Sequence, residues 1–161
     1  MKNLTLIRHA KSDYQGGLSD KQRTITETGV ENSVLVFSKY KNQIPNEISI
    51  FSSNATRAIL TSKVFEKVVD LKQNSIQYDD DLYTFDASDL EKFIKLIDNN
   101  VTNALIFGHN GAITDFVNKF GDVFVDNIPT SGLVLINFEI DNWKDIKKGK
   151  TIITLFPKEL K

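Results

Sequence analysis

The chain has 161 residues, 40% of them hydrophobic and 25% charged, and a formal net charge of −1. These values are ordinary for a globular protein with one core, and the near-neutral charge gives no reason to expect nucleic acid or an anionic membrane as a partner. The absence of cysteine excludes disulfides, thiol nucleophiles and zinc–thiolate sites.

No apolar run in the sequence approaches the length of a membrane span, and no signal-peptide pattern precedes the first strand-like run. The sequence also holds no internal repeat, linker or low-complexity segment that would divide it. We therefore expect one domain over residues 1–161, located in the cytoplasm and without a membrane partner.

Apolar runs with strand character alternate along the chain with segments of helical periodicity. The strand-like runs are residues 4–7, 48–51, 75–78, 104–107, 133–140 and 151–156. The predicted helices cover residues 26–40, 55–69, 88–97 and 113–120. This alternation predicts a three-layer α/β/α domain with a mostly parallel central sheet.

The first predicted helix has apolar residues at the i, i+4, i+7 spacing of one buried face. These residues are Val30, Val34, Phe37 and Tyr40. Ser33 lies off this predicted face. Ser53 or Asn54 offers a side-chain oxygen to cap the second helix, and Ser88 is the predicted cap of the third.

The sequence has only two histidines, and each comes directly after a strand-like run. His9 follows residues 4–7 and Arg8, and His109 follows residues 104–107 and one glycine. Ligands of open α/β sheets bind at the carboxyl edge of the strands, where such residues lie. Histidine can act there as a nucleophile, a base or an acid.

Other polar groups suited to phosphate follow the same strands. Arg8 precedes His9, and Arg57 lies in the first turn of the helix after the second strand-like run. Asn110 follows His109, where a helix N-terminus adds backbone donors. A single histidine or arginine in such a place is more often structural. Their co-occurrence at three strand ends predicts a phosphate-binding site, because guanidinium forks match phosphate geometry.

The segment Leu6-Ile7-Arg8-His9-Ala10-Lys11-Ser12 resembles the opening motif of the histidine phosphatase superfamily, in the form typical of its SixA-like phosphohistidine phosphatase branch. Further matches follow in the order of that family. They are residues 20–29 with Asp20, Arg23, Thr26 and Gly29, residues 52–58 with Arg57, then Thr61, Asp81-Leu82-Tyr83, Gly108-His109-Asn110, residues 128–132 and residues 156–160. The resemblance covers nearly the whole chain and implies a minimal phosphoglycerate mutase-like fold without a large cap insertion.

By this resemblance, His9 is the nucleophile of a phosphatase and forms a phosphohistidine intermediate. Arg8, Arg57 and His109 would hold the phosphoryl oxygens, and Asn110 belongs to the same phosphate-binding group. The implied enzyme needs no cofactor or metal. Its substrate would be a phosphorylated protein, for example a histidine-phosphotransfer domain, or a small phosphoester.

The general acid is not assigned by these matches. Larger members of the superfamily carry a glutamate as proton donor, and Thr84 stands at the corresponding place. Asp86 is the nearest carboxyl group and the candidate acid, and Asp89 is the next. Residues 79–81 are three aspartates whose pattern is more typical of a solvated turn than of a metal site.

Three other functions fit the same residues. The protein could be a phosphomonoesterase for small molecules, a module that binds phosphate without turning it over, or a mutase. Retention of a histidine nucleophile beside two arginines favours catalysis over binding alone. A mutase would need a pocket fitted to a sugar acid, and this short chain has little material to build one.

Overall fold

The computed structural model describes residues 1–14, 16–71 and 75–161. Its strands are β1 (Lys2–Arg8), β2 (Ser49–Ser53), β3 (Ile76–Asp79), β4 (Asn103–Gly108), β5 (Leu133–Phe138) and β6 (Lys150–Leu155). Its α-helices are α1 (Glu27–Tyr40), α2 (Thr56–Val69), α3 (Ala87–Lys95) and α4 (Ala112–Phe120). All six predicted strands and all four predicted helices are present, with boundaries shifted by a few residues. None of the helices in the described residues is long and apolar enough to span a bilayer.

The strands form one sheet in the order β3-β2-β4-β1-β5-β6. The first four strands of that order run parallel to their neighbours. β5 runs antiparallel to both β1 and β6, so that it alone is reversed. The predicted mostly parallel sheet is therefore confirmed.

The register of the sheet brings three strand ends together. β1 lies beside β4 with Arg8 paired to Gly108, and β4 lies beside β2 with Phe107 paired to Ser52. The next residues along these three strands, among them His9 and His109, thus leave the sheet at one edge. This edge is the carboxyl end of parallel strands, as the sequence predicted.

Two apolar clusters cover opposite faces of the sheet. One cluster joins Leu6 and Ile106 of the sheet to helices α3 and α4. The other joins Leu105 and Phe107 to helices α1 and α2. Successive strand residues point to opposite faces, and the central strands are mostly apolar in their middle because both faces are covered. The result is the predicted three-layer α/β/α arrangement, and no large insertion interrupts it within the described residues.

The predicted buried face of α1 is wrong in part. Val30 and Val34 are 36% and 40% exposed, whereas Ser33 and Val36 are completely buried. Ser33 is on the inner face because its hydroxyl bonds to that of Ser131, with an Oγ–Oγ distance of 2.8 Å. A polar residue with a buried partner thus occupies a core position, and the apolar spacing alone could not indicate it.

The predicted helix caps also differ from the structure. Ala55 is the N-cap residue of α2, and no side chain caps that helix. The Ser53 hydroxyl instead accepts a hydrogen bond from the amide of Ala55, the residue that precedes the first residue of the helix. α3 begins two residues earlier than predicted because Asp86, rather than Ser88, is its cap and accepts a hydrogen bond from the Ser88 amide.

The N-terminus of α1 is held against the chain that leaves β1. The Thr26 amide donates to the Lys11 carbonyl at 2.8 Å, and the Thr26 side chain accepts from the Gly29 amide. A Cβ atom on Gly29 would lie 2.7 Å from the Lys11 carbonyl oxygen, so glycine permits this close approach. The contact fixes the segment that follows His9.

Candidate active site

The two ring nitrogens of His9 contact groups of opposite character. Nδ1 lies 2.7 Å from the backbone carbonyl oxygen of Ala10, which can only accept a hydrogen bond. Nε2 lies 3.3 Å from Nε of Arg57, which can only donate. Both contacts require one neutral tautomer, with the proton on Nδ1 and the lone pair on Nε2. Nε2 is therefore the nitrogen of this ring that can act as a nucleophile.

The surroundings of His9 favour its neutral form. The residue is 7% exposed, and burial lowers the pKa of its imidazole to about 4. This value already includes the hydrogen bond to the Ala10 carbonyl, which raises the pKa, and the charges of the nearby arginines Arg57, Arg8 and Arg23, which lower it. An imidazole in water has a pKa near 6.5 and is partly protonated at neutral pH, whereas His9 keeps its lone pair there.

Arg57 projects from the first turn of α2 and is 2% exposed. Its Nη1 donates to the Asp20 carbonyl at 2.6 Å, and its Nη2 donates to the Asp20 carboxylate at 3.0 Å. The start of α2 is tied to β1 as well, because the Thr61 hydroxyl accepts from the Ala10 amide and donates to the Arg57 carbonyl. The guanidinium is thus fixed beside Nε2 of His9.

Asp20 is a member of the site that the analysis of single residues missed. Its carboxylate accepts hydrogen bonds from Arg57, from Arg23 at 3.2 Å and from the Tyr83 hydroxyl at 2.5 Å. The Tyr83 hydroxyl and then the two arginines lower the pKa of Asp20 to about 2, so the carboxylate is ionised. Its presence in the family-like segment 20–29 was the signal that could have identified it.

Arg8 is held on the other side of the site by the segment before β5. Its Nη1 donates to the Ile128 carbonyl at 2.8 Å. Its Nε is buried without a hydrogen-bond partner among the described residues. Burial lowers the pKa of the guanidinium, which stays charged because arginine starts so far above neutrality.

The turn that carries Arg8 and His9 is held by Ser131. The Ser131 amide donates to the carbonyl oxygens of both residues at 3.1 Å. Ser131 has a φ of 63°, in the left-handed region that favours glycine. The hydrogen bond to Ser33 on α1 holds the serine in this conformation.

His109 lies next to His9, with ring centroids 5.2 Å apart. Its Nε2 is 2.8 Å from the Ser53 hydroxyl, which also accepts from the Ala55 amide. When the Ser53 hydrogen points to Nε2, the proton of the neutral ring is on Nδ1, which is buried and has no partner among the described residues. Burial, followed by the nearby charges, lowers the pKa of His109 to about 3.

The charges of the site favour an anion. Arg8, Arg23 and Arg57 contribute three positive charges and Asp20 one negative charge, which leaves two positive charges while both histidines are neutral. Three buried nitrogens lack a partner among the described residues: Nε of Arg8, Nε of Arg23 and Nδ1 of His109. A phosphoryl dianion has the charge and the acceptor oxygens that such a set would bind.

Asn110 does not have the predicted phosphate-binding arrangement. Its Oδ1 accepts from the amide and hydroxyl of Thr114, and its Nδ2 donates to Asn127 and to the Ile128 carbonyl. Both ends of the side chain are therefore occupied by the protein. Because Ile128 also accepts from Arg8, the amide positions the arginine rather than offering a free donor to a ligand.

Asp86 is also unsuited to its predicted role as general acid. Its exposed carboxylate caps α3 by accepting from the amide and the hydroxyl of Ser88. These hydrogen bonds lower its pKa, whereas a general acid needs a raised one. Asp89 accepts from the Thr84 hydroxyl at 2.8 Å and is exposed as well. The structure thus gives both carboxylates a local role at the start of α3.

Of the three aspartates of residues 79–81, Asp79 ends β3 and the other two begin a short 3-10 helix. Asp79 accepts from the Asp81 amide, and Asp80 is exposed and pairs with Lys21 at 2.7 Å. Within the described ranges, no group of three or more histidine, aspartate or glutamate side chains is arranged to hold a metal ion.

Two aromatic residues lie against His109 on the side facing away from the core. The Tyr83 ring is 5.4 Å from the His109 ring and the Phe85 ring is 5.6 Å from it, both in edge-to-face contact. Tyr83 and Phe85 also contact each other at 5.8 Å. Tyr83 belongs to a segment of family resemblance, whereas no pattern in the sequence points to Phe85.

Comparison with other sequences gives relatives without an established activity. No protein-family model matches the chain. An uncharacterized protein of Mycobacterium tuberculosis is 24% identical over 153 residues, which cover 89% of this chain and 93% of that protein. An uncharacterized protein of Mycobacterium leprae is 28% identical over 146 residues, which cover 81% of this chain and 86% of the relative.

Comparison with solved structures identifies the fold. The protein histidine phosphatase SixA, solved with tungstate, superposes with a TM-score of 0.81 at 20% identity, over 99% of both chains. A mycobacterial glucosyl-3-phosphoglycerate phosphatase superposes with a TM-score of 0.66 at 13% identity, over 95% of this chain and 98% of that one. The chain therefore has the phosphoglycerate mutase-like α/β fold of SixA, as its motifs implied.

Proposed function

We propose that the protein is a phosphatase that transfers a phosphoryl group to Nε2 of His9 and then to water. The observation that supports it best is the tautomer of His9, whose contacts with Ala10 and Arg57 leave the lone pair on Nε2. A module that only binds phosphate would not need a neutral imidazole held in this way. The fold shared with SixA supports the same proposal.

In the first step, Nε2 attacks phosphorus and the new N–P bond forms. The bond between phosphorus and the leaving group breaks, and the leaving group keeps the electron pair. The proton on Nδ1 of His9 stays in place, held by the Ala10 carbonyl. In the second step, water attacks the phosphohistidine and gives up a proton, the N–P bond breaks, and inorganic phosphate leaves. The lone pair then returns to Nε2.

The arginines and His109 stabilise the charge of the transferred group. Arg57 already contacts Nε2 of His9, so its guanidinium lies beside the phosphorus that this nitrogen attacks. The free Nε of Arg8 and Nδ1 of His109 are donors for the remaining phosphoryl oxygens. Positioning and electrostatics supply most of the catalysis in phosphoryl transfer.

We also propose that the enzyme needs no metal ion, since arginines supply the positive charge that metals provide in other phosphoryl transfer enzymes. Activity is expected to be unchanged after exhaustive dialysis against EDTA and to be inhibited by vanadate or tungstate, which imitate the phosphoryl group. The measurement is phosphate release before and after chelation. Loss of activity that a divalent ion restores would contradict this proposal.

The proposed substrate is protein phosphohistidine, for example on a histidine-phosphotransfer domain. Among the described residues, the elements between α2 and β4 are β3, a short 3-10 helix and α3, which leaves little chain for a cap over the strand ends. The nearby carboxylates of Asp86 and Asp89 are held at the start of α3. An imidazole leaving group, with a pKa near 6.5, can be protonated by solvent before transfer and depends less on an enzyme acid than an alkoxide does.

This preference can be measured with two substrates. We expect kcat/KM for a phosphohistidine-bearing phosphotransfer domain to exceed that for a simple alkyl phosphate by roughly 10²-fold or more, the contribution of a positioned acid that the alkyl ester lacks. Asp86→Asn serves as the control and should change neither value by more than about twofold. Equal turnover of the alkyl ester, abolished by Asp86→Asn, would show that a proper acid exists.

A further inference from the structure

We infer that Phe85, together with the ring of Tyr83, forms a subsite for a flat aromatic leaving group. This inference rests on the proposed function, because the leaving group is bonded to the phosphorus that His9 attacks. The subsite would accept the imidazole of a phosphohistidine, or another ring bonded to phosphorus, by stacking. Nothing in the resemblance to the SixA-like branch assigned a role to Phe85.

The position of Phe85 relative to the two histidines carries the inference. The His109 ring contacts both other rings, with its centroid 5.2 Å from that of His9 and 5.6 Å from that of Phe85. His9 and His109 are buried, whereas Phe85 is 52% exposed. In an in-line transfer the leaving group departs opposite Nε2 of His9, and the inferred subsite requires this direction to lead to the Phe85 ring.

The packing of the fold does not account for the position of the Phe85 ring. Phe85 belongs to neither apolar cluster of the described residues, and its ring contacts there are with Tyr83 and His109. Aromatic rings beside a few convergent polar groups are a common feature of ligand pockets. The ring therefore offers a stacking surface that the protein itself does not cover.

Tyr83 fixes the inner side of this subsite. Its hydroxyl donates to Asp20, and its ring edge packs against both His109 and Phe85. Because Asp20 also holds Arg57, the aromatic pair is linked to the arginine beside the nucleophile. The distance from the phosphoryl site to the aromatic surface is thus set by a chain of direct contacts.

The test compares the binding of two phosphonates that cannot be hydrolysed, phenylphosphonate and methylphosphonate. Phe85→Ala is expected to weaken phenylphosphonate roughly threefold to tenfold in Kd, the usual effect of one aromatic pair, and to leave methylphosphonate unchanged. Phe85→Leu keeps apolar bulk and should recover only part of the loss. Phe124→Ala removes another exposed phenylalanine, 77% accessible, and should change neither Kd.

The same variants are then compared in turnover. Phe85→Ala should lower kcat/KM for phosphohistidine by a similar factor and leave kcat/KM for acetyl phosphate unchanged, since neither leaving group needs an enzyme acid and only one is aromatic. In the binding experiment, an equal loss of affinity of Phe85→Ala for both phosphonates, or no loss for either, would contradict the proposed subsite. A different outcome is possible if the wild-type protein hydrolyses no phosphorylated substrate. If it still binds phenylphosphonate more tightly than methylphosphonate, the proposed phosphatase activity is contradicted and the aromatic subsite is not.

Discussion

Replacing His9 by alanine is expected to lower the turnover of every phosphorylated substrate by roughly 10⁴-fold or more, as the loss of a nucleophile does in other enzymes with a covalent intermediate. The substitution removes the lone pair on Nε2 that Arg57 contacts, while Arg57 keeps its hydrogen bonds to Asp20. Phosphate release under saturating substrate measures the loss. Binding of tungstate should persist, since the arginines remain.

His109→Ala is the matched control for this prediction. It removes the other buried imidazole but leaves the nucleophile in place, so a phosphoenzyme should still form, more slowly than in the wild type. His9→Ala should form none. Turnover within about tenfold of the wild type in His9→Ala would contradict the assignment of the nucleophile.

Replacing Arg57 by alanine is the second prediction, with an expected loss of roughly 10³- to 10⁵-fold in kcat. Arg57 is the only arginine for which a contact with the His9 ring is found among the described residues, at 3.3 Å. Without Arg57, the Asp20 carboxylate has one positive charge fewer beside it. Its negative charge would then repel a phosphoryl dianion. Single-turnover kinetics separates the chemical step from binding.

Two further variants test whether the geometry of Arg57 or only its charge is needed. Arg57→Lys keeps one positive charge but lacks the fork that contacts Asp20 and His9 at the same time, so it should recover only a small part of the loss. Lys63→Ala, on the same helix and exposed, should be neutral. Full activity of Arg57→Lys would show that charge alone suffices.

The sheet, and the edge of it at which the site lies, could be predicted because the sequence patterns that indicate them are local. The central strands are continuous apolar runs, and polar residues follow each of them at once. Parallel pairing of β2, β4 and β1 then brings His9, Arg57 and His109 together without any further assumption. Residues whose role depends on their place after a strand were thus predictable.

Roles that depend on contacts across the fold could not be predicted. Asp20 is far in sequence from Arg57 and Tyr83, and its part in the site follows from their tertiary contact. Ser33 is buried because Ser131 lies opposite. Neither pairing has a periodic pattern that would indicate it.

Two of the predicted site residues have side chains that are occupied by the protein itself, and for the same reason. Asn110 and Asp86 are close in sequence to site residues, and proximity was the basis of their predicted roles. Their side chains are instead occupied by nearby backbone groups, those of Thr114 and Ser88. Short polar residues at helix starts often form such hydrogen bonds, which compete with any role toward a ligand.

The central claim is that His9 accepts the phosphoryl group on Nε2. The most direct measurement is a rapid alkaline quench of the wild-type protein with phosphate-labelled substrate, followed by peptide mapping and identification of the phosphohistidine isomer. Label is expected on His9 as the Nε2-phosphorylated isomer, since Nδ1 is held by the Ala10 carbonyl. Label on Nδ1 of His9, on His109 or on no histidine during active turnover would contradict it.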